Sequence, residues 1–188
     1  MKEKVIVAMS GGVDSSDATY LMIKEGYEVI GITLDLYEGN ETILNDAKKV
    51  ADSFGIKWYK ADYRQDFKEN IISYFISTYR KGKTPNPCSY CNKWGKFQYL
   101  YNEMQKFGAK KIVSGHYANI VNKEDKYFIS KGLDESKDQS YYLSLLFINS
   151  KLRFMLFCKN LYKSSTLFKA FRYSSLCSFF ISGGTILF

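Results

Sequence analysis

Short runs of apolar residues alternate with longer segments of helical periodicity along most of the chain. Residues 5–8 form a β-branched apolar run that is typical of a strand buried on both faces, and a helical pattern follows over residues 15–25. Further apolar runs predict strands at residues 28–34, 56–59 and 111–114. Strands and helices are therefore expected to follow one another in turn.

Between these strands, apolar residues recur at helical spacing and predict three more helices. Their apolar positions are Ile43, Ala47, Val50, Ala51 and Phe54 in the first, Phe67, Ile71, Tyr74, Phe75 and Tyr79 in the second, and Phe97, Leu100, Tyr101, Met104 and Phe107 in the third. Residues 120–121 and 127–129, around a polar turn, predict a β-hairpin after the last strand. The alternation predicts an α/β fold, with a parallel twisted sheet and helices on both faces.

The loop after the first strand reads Ser-Gly-Gly-Val-Asp-Ser-Ser, at residues 10–16. Gly11 and Gly12 permit a tight turn with positive φ and place no side chain between the backbone and a ligand. The next helix directs its unpaired N–H groups and its positive end at this loop, which favours a bound phosphate. The alternative is an ordinary turn between strand and helix, and neither the Walker nor the Rossmann glycine pattern is present.

Two other polar segments follow predicted strands, namely Leu34 with Asp35 and residues 114–117. In parallel sheets ligands bind outside the carboxyl ends of the strands, so both segments are expected to join the glycine loop in one nucleotide site. Gly115 allows a close backbone approach to a nucleotide. His116 is the only histidine, and a single histidine at a strand end is typical of a hydrogen-bonded core residue.

Composition bounds the class of protein. The 188 residues are 46% hydrophobic and 17% aromatic, which is enough for one domain with a substantial core. With no signal peptide and no apolar run of about 18 residues, we expect a cytoplasmic protein that does not enter a membrane. The net charge of +8 is weak evidence for RNA binding, because residues 147–188 carry 6 Lys/Arg and no acid.

Both prolines of the chain lie in residues 82–93, Gly-Lys-Thr-Pro-Asn-Pro-Cys-Ser-Tyr-Cys-Asn-Lys. The prolines predict a stiff, extended loop that cannot be a helix. It presents Cys88 and Cys91, and the lysines that flank it, Lys81, Lys83 and Lys93, are expected to favour a thiolate or to contact RNA phosphates.

The Cys-x-x-Cys pair has three interpretations. It supplies half of a tetrahedral zinc site, but no second pair follows at the usual spacing. A thioredoxin-like redox pair is disfavoured because that motif opens a helix. We prefer a nucleophilic thiol at Cys91, with Cys88 as a second thiol.

Four motifs in this order resemble the tRNA-specific 2-thiouridylases: Ser-Gly-Gly-Val-Asp-Ser-Ser, Gly-Lys-Thr-Pro-Asn-Pro-x-x-x-Cys-Asn, Ser-Gly-His-Tyr-Ala and Lys-Asp-Gln-Ser-Tyr-Tyr-Leu. The resemblance covers about residues 3–146 and implies the adenine nucleotide alpha hydrolase-like fold of the PP-loop ATP pyrophosphatases. It also implies ATP-dependent 2-thiolation of the wobble uridine in tRNA, by adenylation of the uracil 2-carbonyl and sulfur transfer from a cysteine persulfide.

The resemblance assigns roles to individual residues. It places ATP against Ala8, Met9, Ser10, Gly11, Gly12, Val13, Asp14, Ser15, Leu34 and Gly115. It implies a magnesium ion on the ATP phosphates, with Asp14 as the candidate indirect partner.

On the RNA side, the resemblance makes Cys91 the nucleophile. It puts the target base against Asn86, Pro87 and Cys88, and the tRNA against Lys137, Asp138 and Gln139. It further implies a sulfur-relay protein as persulfide donor. Many members carry Asp where this chain has Cys88, which leaves an iron–sulfur cluster or zinc at Cys88 and Cys91 as alternatives.

The sequence changes character after Leu146. Residues 1–146 are interpreted as an incomplete PP-loop thiouridylase domain, and residues 147–188 as an atypical Phe/Ser-rich basic tail that holds eight of the fourteen phenylalanines. Cys158 and Cys177 lie in contexts unlike the family's persulfide site. The hypothesis is a frameshifted or truncated end, and the alternative function is therefore a catalytically inactive ATP-binding fragment.

Overall fold

The structure, a computed structural model, describes residues 2–124, 126–146 and 154–156. Its strands in chain order are β1 (Lys4–Ala8), β2 (Glu28–Asp35), β3 (Lys57–Asp62), β4 (Lys111–Ser114), β5 (Ala118–Lys123), β6 (Lys126–Lys131) and β7 (Phe154–Leu156). Five of them form a parallel sheet in the order β3-β2-β1-β4-β7, and β5 and β6 form a separate antiparallel pair. The predicted parallel α/β fold and the predicted hairpin are confirmed.

Strand β1 lies at the centre of the main sheet, between β2 and β4. Ile6 is in register with Ile30 on one side and with Ile112 on the other. Val5, Ile6 and Val7 are fully buried, as expected for a β-branched run with helices on both faces of the sheet. The glycine loop therefore starts from a fully buried strand at the centre of the sheet.

The helices connect and cover the strands. They are α1 (Val13–Lys24), α2 (Glu41–Ser53), α3 (Arg64–Asp66), α4 (Ser73–Arg80), α5 (Pro87–Cys91) and α6 (Phe97–Lys106). Single π-helical turns, Phe67–Ile72 and Asn92–Lys96, join α3 to α4 and α5 to α6. The predicted helices are confirmed, and β3 continues beyond its predicted end at residue 59 to Asp62.

Two hydrophobic clusters cover opposite faces of the main sheet, because successive residues of β1 point in opposite directions. Ile6 packs with Leu100 and Met104 of α6, whereas Val5 and Val7 pack in the second cluster. The second cluster includes residues of α1 and α2, namely Ala18, Met22, Ala47 and Ala51. These packed helices fix where the loops at the carboxyl edge of the sheet can lie.

The proline segment was wrongly predicted to exclude a helix. Residues Pro87–Cys91 form α5, with Pro87 in its first turn and Asn86 as its N-cap. The Ser89 N–H donates to Asn86 Oδ1 at 3.1 Å. Proline is tolerated at the first helical position because the N–H that it lacks has no partner within the helix.

The polar segment after residue 132 forms two 3₁₀ turns, Glu135–Lys137 and Ser140–Leu143. Leu143 is fully buried in the cluster that contains Ile6 and Ile112. The second turn is therefore anchored to the core of the sheet by one side chain.

Strand β7 falls within the predicted tail and pairs with β4, with Phe154 in register with Ile112. The rest of residues 147–188, including Cys158 and Cys177, lies outside the described residues. The domain boundary at residue 146 and the origin of the tail stay predictions. Of the helices that the structure describes, none combines the length and apolar character that a membrane crossing requires.

The burial of Leu143 makes a stability prediction with a matched control two residues away. We expect Leu143→Ala to lower the free energy of unfolding by about 2–5 kcal/mol, because it leaves a cavity against the sheet. Leu145 is 43% exposed, so Leu145→Ala should change it by less than about 0.5 kcal/mol. Urea unfolding of both variants measures the difference, and equal effects would show that the turn is not anchored by Leu143.

Candidate functional site

The N-terminus of α1 opens onto the carboxyl edge of the sheet. Its N-cap is Gly12, and no side chain caps the N–H groups of its first turn. The hydroxyls of Ser15 and Ser16 donate to the Gly12 carbonyl oxygen at 3.0 and 2.9 Å, and Ser15 Oγ accepts from the Ser10 N–H at 3.3 Å. Internal hydrogen bonds thus hold the loop while the first turn keeps its positive end for an anion.

The two glycines of the loop have different surroundings. Gly11 has φ +76°, and a Cβ on it would lie 2.7 Å from Asp46 Cβ and 2.8 Å from the Ala47 nitrogen in α2. Gly12 has φ −79°, and a Cβ there would meet only Ser10 Oγ, at 3.5 Å. Gly11 is needed for packing against α2, so Gly12 is the glycine that leaves space for a ligand.

The end of β2 places a buried carboxylate beside Leu34, on the strand next to β1. Asp35 is 3% exposed, and its Oδ2 lies 3.3 Å from Lys60 Nζ and 3.7 Å from Arg64 Nε. Its other oxygen, Oδ1, accepts no hydrogen bond from any described residue. A buried acceptor at this edge fits a ligand that carries hydroxyl groups, such as a nucleoside.

The end of β4 lies directly against the first turn of α1. A Cβ on Gly115 would come within 2.8 Å of the Asp14 carbonyl carbon, so the close approach that Gly115 permits is to Asp14. Two residues later, the Tyr117 hydroxyl donates to Asp14 Oδ1 at 2.6 Å. The loops that follow β1 and β4 are therefore in direct contact, as the sequence predicted.

Tyr117 also holds the segment in which tRNA contacts were predicted. Its N–H donates to Gln139 Oε1 at 3.0 Å, and its carbonyl oxygen accepts from the Gln139 N–H at 2.8 Å. Lys137 Nζ lies 5.4 Å from the centre of the Tyr117 ring. Lys137 and Gln139 thus position this segment within the protein.

Asp138 closes the same segment on itself. Its Oδ1 accepts from the Gly132 N–H at 2.8 Å, and its Oδ2 accepts from the Ser140 hydroxyl at 2.7 Å. These hydrogen bonds, the one from Gly132 first, lower the pKa of the Asp138 carboxyl because they stabilise its charged form. Its carboxylate acts as the centre of a turn.

Helix α5 docks onto the 3₁₀ turn at Ser140–Leu143. Asn86 Nδ2 donates to the Tyr141 hydroxyl at 2.9 Å, and Ser89 Oγ donates to the Tyr141 carbonyl oxygen at 3.3 Å. Asn92 Nδ2 donates to the Tyr142 carbonyl oxygen at 2.9 Å. All four motifs singled out in the sequence are therefore joined by direct contacts, which the sequence alone did not show.

Residues 3–170 match the sequence profile of the family described as the tRNA methyl transferase HUP domain. The chain belongs to this family. The match covers the glycine loop, the cysteine segment and the Tyr117 region, so the geometry described above is that of a HUP domain.

Curated relatives of this HUP domain are tRNA-specific 2-thiouridylases. The chain is 42% identical over 155 residues to MnmA 1 of Clostridium botulinum, which covers 76% of this chain and 44% of that protein. It is 43% identical over 152 residues to MnmA 1 of Clostridium tetani, which covers 76% of this chain and 42% of that protein. The chain thus spans less than half the length of these relatives.

Solved structures resemble the chain at lower sequence identity than these relatives do. The U34-tRNA thiolase NcsA from Methanococcus maripaludis matches with a TM-score of 0.48 and 20% identity, over 61% of this chain and 39% of that one. NMN synthetase from Francisella tularensis matches with a TM-score of 0.44 and 20% identity, over 60% of this chain and 44% of that one.

The two cysteines of this HUP domain lie in different environments. Cys88 is exposed, whereas Cys91 is 8% exposed. Burial raises the pKa of the Cys91 thiol, and the nearby charge and backbone N–H of Lys96 offset this only in part. Desolvation thus outweighs the contribution of Lys96 and favours the protonated thiol at Cys91, and the predicted effect of Lys81, Lys83 and Lys93 stays a prediction.

The described residues do not form a metal centre by themselves. Within the described ranges, no group of three or more His, Cys, Asp or Glu side chains is placed to hold a metal ion. Cys88 and Cys91 supply two thiols, which is half of what a structural zinc site or an iron–sulfur cluster needs.

His116 takes the structural role that was predicted for it. Its Nδ1 lies 2.9 Å from Ser114 Oγ, and its ring lies 5.7 Å from the Phe97 ring. Burial, with a smaller contribution from Lys96, lowers the pKa of His116 to about 4. The imidazole is neutral at pH 7 and supports the turn that carries Gly115.

The different surroundings of the two glycines predict different responses to a methyl group. Gly11→Ala should lower the free energy of unfolding by about 2–4 kcal/mol, because it combines positive φ with a clash against α2. Gly12→Ala should change it by less than about 1 kcal/mol, because its φ is ordinary and the space is open. Thermal and urea unfolding compare the two, and a larger loss for Gly12→Ala would contradict this assignment.

The lowered pKa of His116 predicts a pH dependence of stability. Between about pH 6.5 and pH 4 the unfolded chain binds a proton at His116 that the folded chain does not, so stability falls as the pH falls through this window. Wild type should lose up to about 3 kcal/mol more than His116→Gln over this range. Urea unfolding at stepped pH measures the difference, and parallel pH profiles would contradict the assignment.

Proposed function

We propose that this chain is the ATP-dependent part of a tRNA-uridine 2-sulfurtransferase. The supporting observation is the direct connection from the uncapped start of α1, through Tyr117 and Gln139, to the helix that carries Cys88 and Cys91. Such a connection places a phosphate-binding loop and a thiol pair on one framework. The similar curated relatives are named tRNA-specific 2-thiouridylases, which supports this choice of reaction.

The phosphates of ATP bind at the first turn of α1, where the N–H groups and the space over Gly12 accept them. Asp35 Oδ1 provides a buried acceptor for a hydroxyl of the nucleoside. Asp14 is exposed at the same end and held by Tyr117, so it can orient a water on a magnesium ion. Ser10 and Ser15 keep the loop in shape.

The chemistry needs activation because a carbonyl oxygen is a poor leaving group. The 2-oxygen of uracil attacks the α-phosphate of ATP, and pyrophosphate leaves. Sulfur from a cysteine persulfide then attacks C2, and AMP leaves with the oxygen. A sulfur-relay protein that carries a persulfide is the proposed sulfur donor.

The RNA-facing surface comprises groups that remain exposed around α5. Tyr141 is 66% exposed and Trp94 is 53% exposed, and Lys81, Lys83 and Cys88 are also exposed. Aromatic rings and lysines are the groups that hold unstacked bases and RNA phosphates. Asn86 and Asp138 shape this surface, since both are occupied by hydrogen bonds within the protein.

An ATP–pyrophosphate exchange assay with unmodified tRNA tests this proposal. We expect exchange that requires a tRNA with uridine at the wobble position, and no exchange with a tRNA that carries cytidine there. Gly12→Ala should lower kcat/KM for ATP by about 10-fold or more, since the methyl group enters the phosphate space.

The control for the exchange assay is Ser53→Ala, at the last residue of α2 and therefore at the opposite edge of the sheet. It should leave kcat/KM for ATP unchanged. Exchange that does not depend on tRNA, or ATP binding without any turnover, would contradict the proposal.

A further inference from the structure

Met9 is the residue at which β1 passes into the glycine loop, and β2 holds it by two hydrogen bonds. The Met9 N–H donates to the Ile32 carbonyl oxygen at 2.9 Å, which extends the pairing of β1 with β2 by one residue. The Met9 carbonyl oxygen accepts from the Thr33 hydroxyl, also at 2.9 Å. A side chain of β2 therefore holds the carbonyl group that leads into the loop.

The hydroxyl of Thr33 stands out in its strand. Residues 29–34 are otherwise apolar, and Thr33 is only 2% exposed. A valine would have the same shape and would avoid the cost of burying a polar group, so burial alone favours a valine at this position. The hydroxyl is explained by the hydrogen bonds that it makes.

Trp58 fixes the direction of this hydroxyl group. Its Nε1 donates to Thr33 Oγ1 at 2.9 Å. An indole N–H can only donate, so Thr33 accepts from Trp58 and directs its single proton to Met9. Trp58 is in register with Gly31, and Thr33 lies two residues further along β2, on the same face of the sheet. The sequence of hydrogen bonds therefore begins in β3.

The side chain of Met9 is held at the same place. A Cβ on Gly31 would collide with Met9 Sδ and would lie 3.3 Å from Trp58 Cδ1, so both side chains pack over this glycine. Met9 is 3% exposed and belongs to the hydrophobic cluster against which Trp58 packs. Strands β2 and β3 thus fix both the backbone and the side chain of Met9.

A second hydrogen bond holds the opposite end of the same peptide unit. The Met9 carbonyl and the Ser10 N–H belong to one planar trans peptide, so they point in opposite directions. The Ser10 N–H donates to Ser15 Oγ at 3.3 Å. With Thr33 at one end and Ser15 at the other, the rotation of this peptide plane is fixed.

These contacts form a continuous chain of hydrogen bonds, because Ser15 Oγ donates in turn to the Gly12 carbonyl oxygen at 3.0 Å. The chain runs from Trp58 to Thr33, through the Met9–Ser10 peptide to Ser15, and ends at Gly12. Gly12 is the N-cap of α1. In a loop that binds phosphate through backbone N–H groups, the directions of those groups determine the affinity.

We propose that Thr33, supported by Trp58, is a positioning residue of the phosphate-binding loop, which orients the Met9–Ser10 peptide for the pyrophosphate portion of ATP. The identity of the ligand rests on the function proposed above. The sequence assigned ATP contacts to Leu34 but not to its neighbour Thr33 or to Trp58. Thr33 is buried and acts through the backbone of Met9.

Amide hydrogen exchange of the full-length chain, followed by NMR without ligand, tests the orientation of the loop. Thr33→Val removes the hydroxyl and should speed the exchange of the Ser10 N–H by at least about 10-fold, whereas Thr33→Ser keeps the hydroxyl and should stay within about 2-fold of wild type. The matched control is Thr78→Val, which removes a hydroxyl that donates to the Tyr74 carbonyl oxygen in α4. It should leave the exchange of Ser10 unchanged.

The indole N–H groups of the two tryptophans give a spectroscopic signature in the same experiment. Thr33→Val should shift the Trp58 Nε1–H resonance and speed its exchange, while Trp94, which is 53% exposed, should keep its resonance. Trp58→Phe should speed the exchange of the Ser10 N–H by only about 3-fold, because Thr33 keeps its own hydroxyl.

Calorimetry with ATP, inorganic pyrophosphate and adenosine, each with magnesium, tests the effect on the ligand. Thr33→Val should raise Kd for ATP and for pyrophosphate by about 10-fold, and Thr33→Ser should restore both. Kd for adenosine should change by less than about 2-fold, because adenosine carries no phosphate for the loop to bind. A general loss of packing would weaken the binding of ATP and adenosine alike, and circular dichroism confirms that each variant is folded.

Unchanged Ser10 exchange in Thr33→Val, equal weakening of ATP and adenosine, or failure of Thr33→Ser to restore binding would overturn the assignment of Thr33. Wild type that binds neither ATP nor pyrophosphate, with the expected exchange pattern, would instead overturn the function proposed for the chain and keep the orientation of the Met9–Ser10 peptide by Thr33. Normal binding of ATP with unchanged Ser10 exchange would do the reverse.

Discussion

Tyr117 joins three segments that are far apart in sequence, and the geometry of the site depends on it. Its hydroxyl donates to Asp14 at 2.6 Å, and its backbone exchanges two hydrogen bonds with Gln139. The first is a short hydrogen bond to a carboxylate, which is among the stronger kinds. It can form because Gly115 has no Cβ and lets the end of β4 come against the start of α1. The absence of one side chain thus permits the contact on which the others rest.

The sequence predicted the layers of this fold because their signals are local. The β-branched run at β1, the spacing of apolar residues in α2 and α6, and the turn between β5 and β6 are each visible within a short window. Helix α5 was missed because two prolines were interpreted as helix-breaking. The hydrogen bonds that hold it, from Asn86, Ser89 and Asn92 to residues more than 45 positions away, cannot be detected in such a window.

Several residues that the motifs assign to ligands also make contacts inside the protein. Asn86, Asp138 and Gln139 were expected to touch RNA, yet each makes hydrogen bonds inside the protein. A motif records that a residue type is needed and does not distinguish a residue that shapes a surface from one that contacts a ligand. Gly11 shows the same ambiguity, since its small size serves the packing against α2. The burial of Cys91 is equally hidden in the sequence. Desolvation raises the pKa of its thiol, and none of the residues beside it in the sequence indicates this.

The connection from Asp14 to α5 has a consequence for covalent chemistry. In the proposed reaction, the oxygen that is adenylated and the carbon that sulfur attacks are bonded to each other, so the phosphate loop and the attacking thiol must keep a fixed separation. An extended cysteine loop without contacts to the rest of the domain would allow that separation to vary. A helix held by Asn86, Ser89 and Asn92 on a turn that Leu143 anchors in the core does not. Pro87 therefore contributes by marking the start of the helix, and the rigidity comes from the turn against which the helix is docked.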